Sequence, residues 1–173
     1  MKFVPTALPG VLVVESDPRR DARGSLVEAW SAARFREAGI GATFVQENVV
    51  TSGRGVLRGL HAQQRTPQGK LVRTVHGEIF DVAVDLRPGS STRLRWVGVT
   101  LSAENAKALW VPPGFAHGYC VTSDSAVVAY LMTAPYDSDD EIRIAWNDPA
   151  IGVAWPTSSP ILSVADRAAR PAP

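Results

Sequence analysis

Phe80-Asp81-Val82-Ala83-Val84-Asp85-Leu86-Arg87 places apolar side chains at the even positions and polar or small ones at the odd positions. A period of two is that of an extended chain whose successive side chains point to opposite faces, so this run reads as a β-strand with one buried face. The counting puts Phe80 and Asp81 on opposite faces and leaves open which of them meets a ligand. The same alternation, rich in Val, Leu and aromatic residues, predicts further strands over 11–16, 24–30, 43–51, 55–62, 70–76, 96–101, 108–111, 117–122, 126–133 and 141–146. Gly, Pro, Ser or Asp interrupts most of the gaps between them, as turns require. One short helix is predicted over 31–38, with Ser31 as N-cap and Gly39 as C-cap. Many short strands joined by regular turns argue for an all-β jelly-roll sandwich or barrel. From Pro156 the chain becomes a tail rich in Pro, Ala and Ser, in which 161–170 is expected to form a short closing element and the last three residues to fray.

The 173 residues fit one domain spanning 1–173, and an apolar fraction of 45% is enough for a real core. With a net charge of +1 and basic and acidic residues interspersed, the chain carries neither a nucleic-acid stripe nor a polybasic membrane anchor. The single Cys120 fits a reducing compartment, and the opening Met1-Lys2-Phe3-Val4-Pro5 lacks the apolar run of a signal peptide. No stretch approaches the ~18 apolar residues of a membrane span. These observations predict a cytoplasmic protein. The glycine-rich patches lack Walker and Rossmann spacing.

Two segments carry the chemistry. Gly55-Val56-Leu57-Arg58-Gly59-Leu60-His61, followed by Lys70, sets three nitrogen bases into a glycine-spaced, otherwise apolar run, where an anionic ligand group fits. Val111-Pro112-Pro113-Gly114-Phe115-Ala116-His117-Gly118-Tyr119 has the P-x-G-x-x-H spacing found in small barrels of the cupin type. Metal-binding cupins carry H-x-H with a nearby glutamate, but here Ala62 and Gln63 follow His61 and the chain has only three histidines. No metal is therefore expected, and chemistry in the pocket must be acid–base. His61 and His117 each have a plainer reading as a hydrogen-bonded turn or core histidine, and His76, before Gly77, reads as solvent-facing. Gln46 and Asn48 share a strand face, either to read a nucleobase or sugar or as solvated edge residues. Asp21-Ala22-Arg23-Gly24 reads as a turn feeding a strand that carries Glu28. Tyr130 sits in a strong strand pattern, where a packing tyrosine is the simplest reading. Position alone places Asp166 on the surface.

Taken together the chain resembles the dTDP-4-dehydrorhamnose 3,5-epimerase family. The resembling runs are Asp21-x-Arg23-Gly24, Gln46-x-Asn48, Gly55 to His61, Gln68-Gly69-Lys70, Asp81 to Arg87, Leu109 to Gly118, Tyr130, Trp146-Asn-Asp-Pro149, and Leu162-Ser163 with Asp166, so nearly the whole of 3–167 is covered. The resemblance implies a jelly roll and a homodimer whose subunits exchange strands. It implies a dTDP-4-keto-6-deoxyhexose substrate and no cofactor. It assigns His61 as base, Asp166 as the carboxylate orienting it, Tyr130 as proton donor and Lys70 as the cation near the C4 oxygen. Arg23, Glu28, Gln46, Asn48, Arg58 and His117 fall on positions that bind the nucleotide or its diphosphate, some across the dimer, and Tyr136 on a second tyrosine lining the sugar site. Ala62, Leu26 and Leu131-Met132 depart from the family's commoner residues and bear on pocket shape, hence on whether C3, C5 or both react. Within the same fold, a 3,4-ketoisomerase would shift the carbonyl, and a non-catalytic cupin would bind the nucleotide sugar without solvent exchange. A metal-dependent dioxygenase would hold iron or nickel.

Overall fold

In the computed structural model, which describes residues 1–172, thirteen strands and two short helices follow in the order β1 (Lys2–Pro5), β2 (Leu12–Glu15), β3 (Arg19–Asp21), β4 (Gly24–Leu26), α1 (Ala32–Glu37), β5 (Gln46–Gly53), β6 (Leu57–Gln63), β7 (Lys70–His76), β8 (Glu78–Asp85), β9 (Trp96–Ser102), β10 (Lys107–Val111), β11 (Phe115–Val121), β12 (Ser125–Met132), β13 (Glu141–Arg143) and α2 (Val164–Arg167). Two sheets carry the molecule, one ordered β1-β2-β10-β7-β12-β5 and the other β13-β6-β11-β8-β9, while β3 and β4 pair apart from both. The expected all-β, cupin-like architecture is present as two facing open sheets, without closure into a barrel. No helix among the described residues is long and apolar enough to cross a membrane.

The core lies in three layers. Between the sheets, Val72, Leu109, Val111, Ala126 and Val128 meet Ile79, Ala83, Leu101, Phe115 and Val121. Outside the six-stranded sheet, Phe35 and Ile40 of the α1 region cover Val14, Leu71 and Trp110. Outside the five-stranded sheet, Leu60, Val82, Val84 and Ile144 lie beneath Ile151, Val153 and Trp155. This third layer corrects the one-faced reading of the strand around Phe80. Its even, apolar face packs under the chain after β13, its odd face turns into the space between the sheets, and both faces are buried because both are covered. Asp81 and Asp85, at 0% exposure, are the buried members of the polar-looking face.

Other boundaries moved for local reasons. The expected strand over 24–30 stops at Leu26, and that over 141–146 stops at Arg143. The strand begun at 43 starts instead at Gln46, because Val45 bonds back to Met132 O only as β5 begins to pair. Ser31 stands at the N-cap of α1 without a side-chain cap bond, and Gly39, at φ 82°, follows the C-cap Ala38. β1 and β3 escaped the periodicity reading, β1 through its terminal Pro5 and β3 through its Arg-Arg-Asp composition. Of the last three residues, expected to fray, Ala172 is held by its amide, which donates to Asp148 Oδ2 at 2.6 Å, and Pro173 lies outside the described residues.

Candidate active site

Arg58 and His61 are three residues apart, an odd spacing that an unbroken strand would send to opposite faces. Both nevertheless line one cavity of about 320 Å³. The reason is a register shift: His61 pairs with His117 and Arg58 with Tyr119, so β6 holds one residue more than β11 across this stretch. Gly59 makes the bulge possible. It has φ 118°, and a Cβ there would stand 2.5 Å from Gly118 Cα and 2.7 Å from His117 O.

The opposite wall comes from the six-stranded sheet. Tyr130 pairs with Asn48, and Lys70 with Met132 two residues further on, so Lys70, Asn48, Tyr130 and Met132 share the inward face. Arg58 bridges the two walls by donating to Ser52 Oγ on β5 at 3.0 Å. The segment ending in α2 closes one side. Ser163 caps α2 by accepting from the Asp166 amide at 3.0 Å, and its hydroxyl donates to Asp166 Oδ2 at 2.9 Å, which aims Oδ1 at His61 Nε2, 2.6 Å away. The surface reading of Asp166 is therefore wrong: chain position said nothing of the β6 side chain it would meet, and the residue is 6% exposed.

Electrostatics follow from this burial. Desolvation opposes the charge on Asp166, but the hydrogen bond and charge of His61, the Ser163 hydroxyl and Arg143 outweigh it and hold the carboxyl below its ordinary range. Burial is also the largest influence on Lys70, bringing its ammonium down to about 8 against the attraction of Glu141 and Asp81. His117 Nε2 lies 2.8 Å from Asp81 Oδ1. Burial pushes Asp81 above the usual carboxylate value, more than His117 and Lys70 pull it down. The Tyr119 hydroxyl is raised to about 12, chiefly by burial, and like Asp81 Oδ2 it finds no hydrogen-bond partner among the described residues.

Of the residues singled out in the sequence, His61, Lys70, Tyr130, Asp166, Asn48, Arg58, His117 and Tyr136 come together around the cavity. Gln46 supports it from behind, donating to Asn48 Oδ1 at 3.0 Å and accepting from the Tyr136 amide at 2.9 Å. Ala62 and Met132, two of the departures noted above, line the cavity, whereas Leu26 is 68% exposed on β4. Arg23 and Glu28 lie elsewhere: the Arg23 side chain, 90% exposed, pairs with Asp21, and Glu28 pairs with Arg34 at 2.9 Å. His76 is exposed, as expected.

Sequence reading missed Asp81, Tyr119, Glu141 and Arg143. Period two from His117 would have found Tyr119, and the Glu141/Arg143 spacing marks one face of β13, where Arg143 pairs with His61. Glu141 Oε1 is 3.7 Å from His61 Nδ1, and its Oε2 accepts from Tyr136 at 3.2 Å and from Arg143. Among the described residues no three His, Cys, Asp or Glu side chains are arranged to hold a metal ion.

The arrangement offers a carboxylate-held imidazole on one wall, with a phenol and an ammonium on the other, and arginines in reach of an anion. Comparison with known proteins points the same way. The sequence profile of the family described as dTDP-4-dehydrorhamnose 3,5-epimerase matches residues 5–172. The dTDP-4-dehydrorhamnose 3,5-epimerase of Neisseria gonorrhoeae is 49% identical over 171 residues, which cover 98% of this chain and 52% of that relative, so the chain spans about half its length. That of Shigella flexneri is 48% identical over 168 residues, covering 96% of this chain and 93% of the relative. The crystal structure of dTDP-6-deoxy-D-glucose-3,5-epimerase from Legionella pneumophila Philadelphia 1, in complex with dTDP-4-keto-L-rhamnose, superposes with a TM-score of 0.96 at 43% identity, covering 98% of this chain and 92% of that one. With cavity, fold and sequence in agreement, this chain belongs to the dTDP-4-dehydrorhamnose 3,5-epimerase family of isomerases.

Proposed function

We propose that this protein epimerises a dTDP-4-keto-6-deoxyhexose at C3 and C5 in deoxysugar biosynthesis, without a cofactor. The observation that carries the reading is His61, held at 2.6 Å by buried Asp166 on one wall, facing the wall that bears Tyr130 and Lys70. Hydrogens on C3 and C5 are acidic because each lies α to the C4 carbonyl, so their removal leaves an enolate. His61 takes the hydrogen as general base through Nδ1, since Nε2–H is committed to Asp166, which fixes the ring and stabilises the imidazolium formed. Lys70 lowers the energy of the enolate oxygen while water is excluded around it. Tyr130, from the other sheet, returns a proton to the opposite face of the carbon, and delivery there inverts the centre.

The remaining residues hold the nucleotide. Arg58 and His117 suit the diphosphate, Asn48 and Gln46 the sugar or base, and Tyr136 stacks at the mouth. Arg23 and Glu28 act across a homodimer, each reaching the partner's cavity. This accounts for a β3–β4 hairpin whose strands are exposed throughout, since an isolated two-stranded hairpin is marginally stable in water. The whole of 1–173 serves as one jelly-roll unit, its tail from about 156 completing the site, and the lone free Cys120 fits a reducing cytoplasm.

Incubation with dTDP-4-keto-6-deoxyglucose in D₂O tests the reading. Deuterium should enter at both C3 and C5, and His61→Ala should lower the rate about 10²–10⁴-fold. Turnover by His61→Ala at the wild-type rate would refute the assignment of the base, and a product without solvent deuterium would refute epimerisation.

A further inference from the structure

Inversion by two groups leaves an imbalance of protons. After each centre reacts, His61 holds one proton too many and Tyr130 one too few. The imidazole must therefore shed its proton while the sugar still fills the cavity. Its Nε2 edge is closed by Asp166, which is 6% exposed and bonded in turn to Ser163. Its Nδ1 edge faces Glu141 Oε1 at 3.7 Å, the one carboxylate within ion-pair distance of that nitrogen among the described residues. The Glu141 side chain is itself 8% exposed. Its second oxygen accepts from the Tyr136 hydroxyl at 3.2 Å, and Tyr136 is 48% exposed. A line of polar atoms thus leads from the reacting ring toward bulk water. The first link is longer than a hydrogen bond, and one water or a small rotation of the carboxylate closes it.

We propose that Glu141 is the proton outlet of this site. It rests on His61 being the base. After the carbon–hydrogen bond breaks, the Nδ1–H bond of the imidazolium breaks and an O–H bond forms on Glu141. The neutral acid then gives that proton to water at the cavity mouth beside Tyr136. Arg143 pairs with Glu141 Oε2, which leaves Oε1 as the oxygen turned toward the ring. Tyr130 takes a proton back from solvent, so the two transfers cancel and no other reactant is consumed. Glu141 acts through His61 and need not touch the sugar.

Glu141→Gln keeps the side chain's size and an acceptor for Tyr136 but cannot carry a proton. It should lower kcat about 10–100-fold while leaving KM within about threefold. Small buffer bases such as imidazole or acetate should restore the rate in proportion to their concentration, and wild type should not respond. Glu141→Asp keeps the carboxyl and should retain most of the rate, which separates loss of the proton carrier from loss of fold. An unchanged kcat in Glu141→Gln, a loss confined to KM, or a loss that no buffer repairs would overturn the proposal. His61→Ala measured alongside distinguishes the two ideas. If it is inactive while Glu141→Gln behaves as wild type, only the outlet falls, and if it remains active the base assignment falls as well.

Discussion

Lys70 is 9% exposed, and its burial, opposed by Glu141 and Asp81, brings the ammonium from 10.5 to about 8. The folded value lies below the unfolded one, so the unfolded chain binds more protons between about 8 and 10.5, and stability rises with pH across that window. Below it the charge costs the fold about 3 kcal/mol, at about 1.4 kcal/mol per pK unit. Under the proposed mechanism the same charge serves the enolate oxygen. Lys70→Met should therefore abolish turnover and raise the thermal midpoint at pH 7 by several degrees, a gain that shrinks towards pH 10.5. Thermal melts of both proteins across pH, with kcat/KM for the wild type, check this, and the wild-type kcat/KM should fall as pH rises through about 8. A lysine that destabilises its own fold reads in sequence like any other. Its burial is not legible nearby, because the strand neighbours that enclose it, Val111 on β10 and Met132 on β12, lie 41 and 62 positions away.

Elements set which of these residues meet. Period two placed nearly every strand of the two sheets, because each has at least one apolar face and the pattern survives any arrangement of neighbours. It failed where two strands touch irregularly: the shift between β6 and β11 brings Arg58 and His61 to one wall, and nothing in the residues between them except glycine marks the extra one. It fell short again for the strand around Phe80, where it allowed one buried face although the chain after β13 covers the even side and the second sheet the odd side. Gly59→Ala tests the bulge directly. Its Cβ would press into backbone on β11 from a positive φ, so the sheet must separate or the register must change. A loss of more than about 3 kcal/mol in chemical denaturation is expected, with activity lost as His61 and His117 shift together. Gly55→Ala is the matched control: its φ is 77° but nothing lies within 4 Å of the added carbon, so about 1–2 kcal/mol of backbone strain is the whole effect.

At the scale of the molecule, one chain builds a cavity lined by His61, Lys70, Tyr130 and Asp166 but keeps Arg23 and Glu28 away from it. The resemblance in sequence supplied those two positions. The fold explains why they stand apart, since the hairpin that carries Arg23 belongs to neither main sheet. Leu26, Trp30 and Val49, at 68%, 41% and 65% exposure, leave apolar surface on the hairpin, beyond it and on the edge strand β5, as a second copy would cover. If each hairpin completes its partner's cavity, a mixed dimer of Arg23→Ala and His61→Ala subunits has one site with both residues intact and one with neither. Random assortment of equal amounts then leaves about a quarter of all sites competent, although each parent is impaired. Co-refolding the two variants and assaying well below saturation should recover about that fraction of wild-type activity. If Arg23 served the cavity of its own chain, every site in the mixture would carry one defect and mixing would recover nothing, so the rate of the mixed sample decides whether the site belongs to one chain or to two.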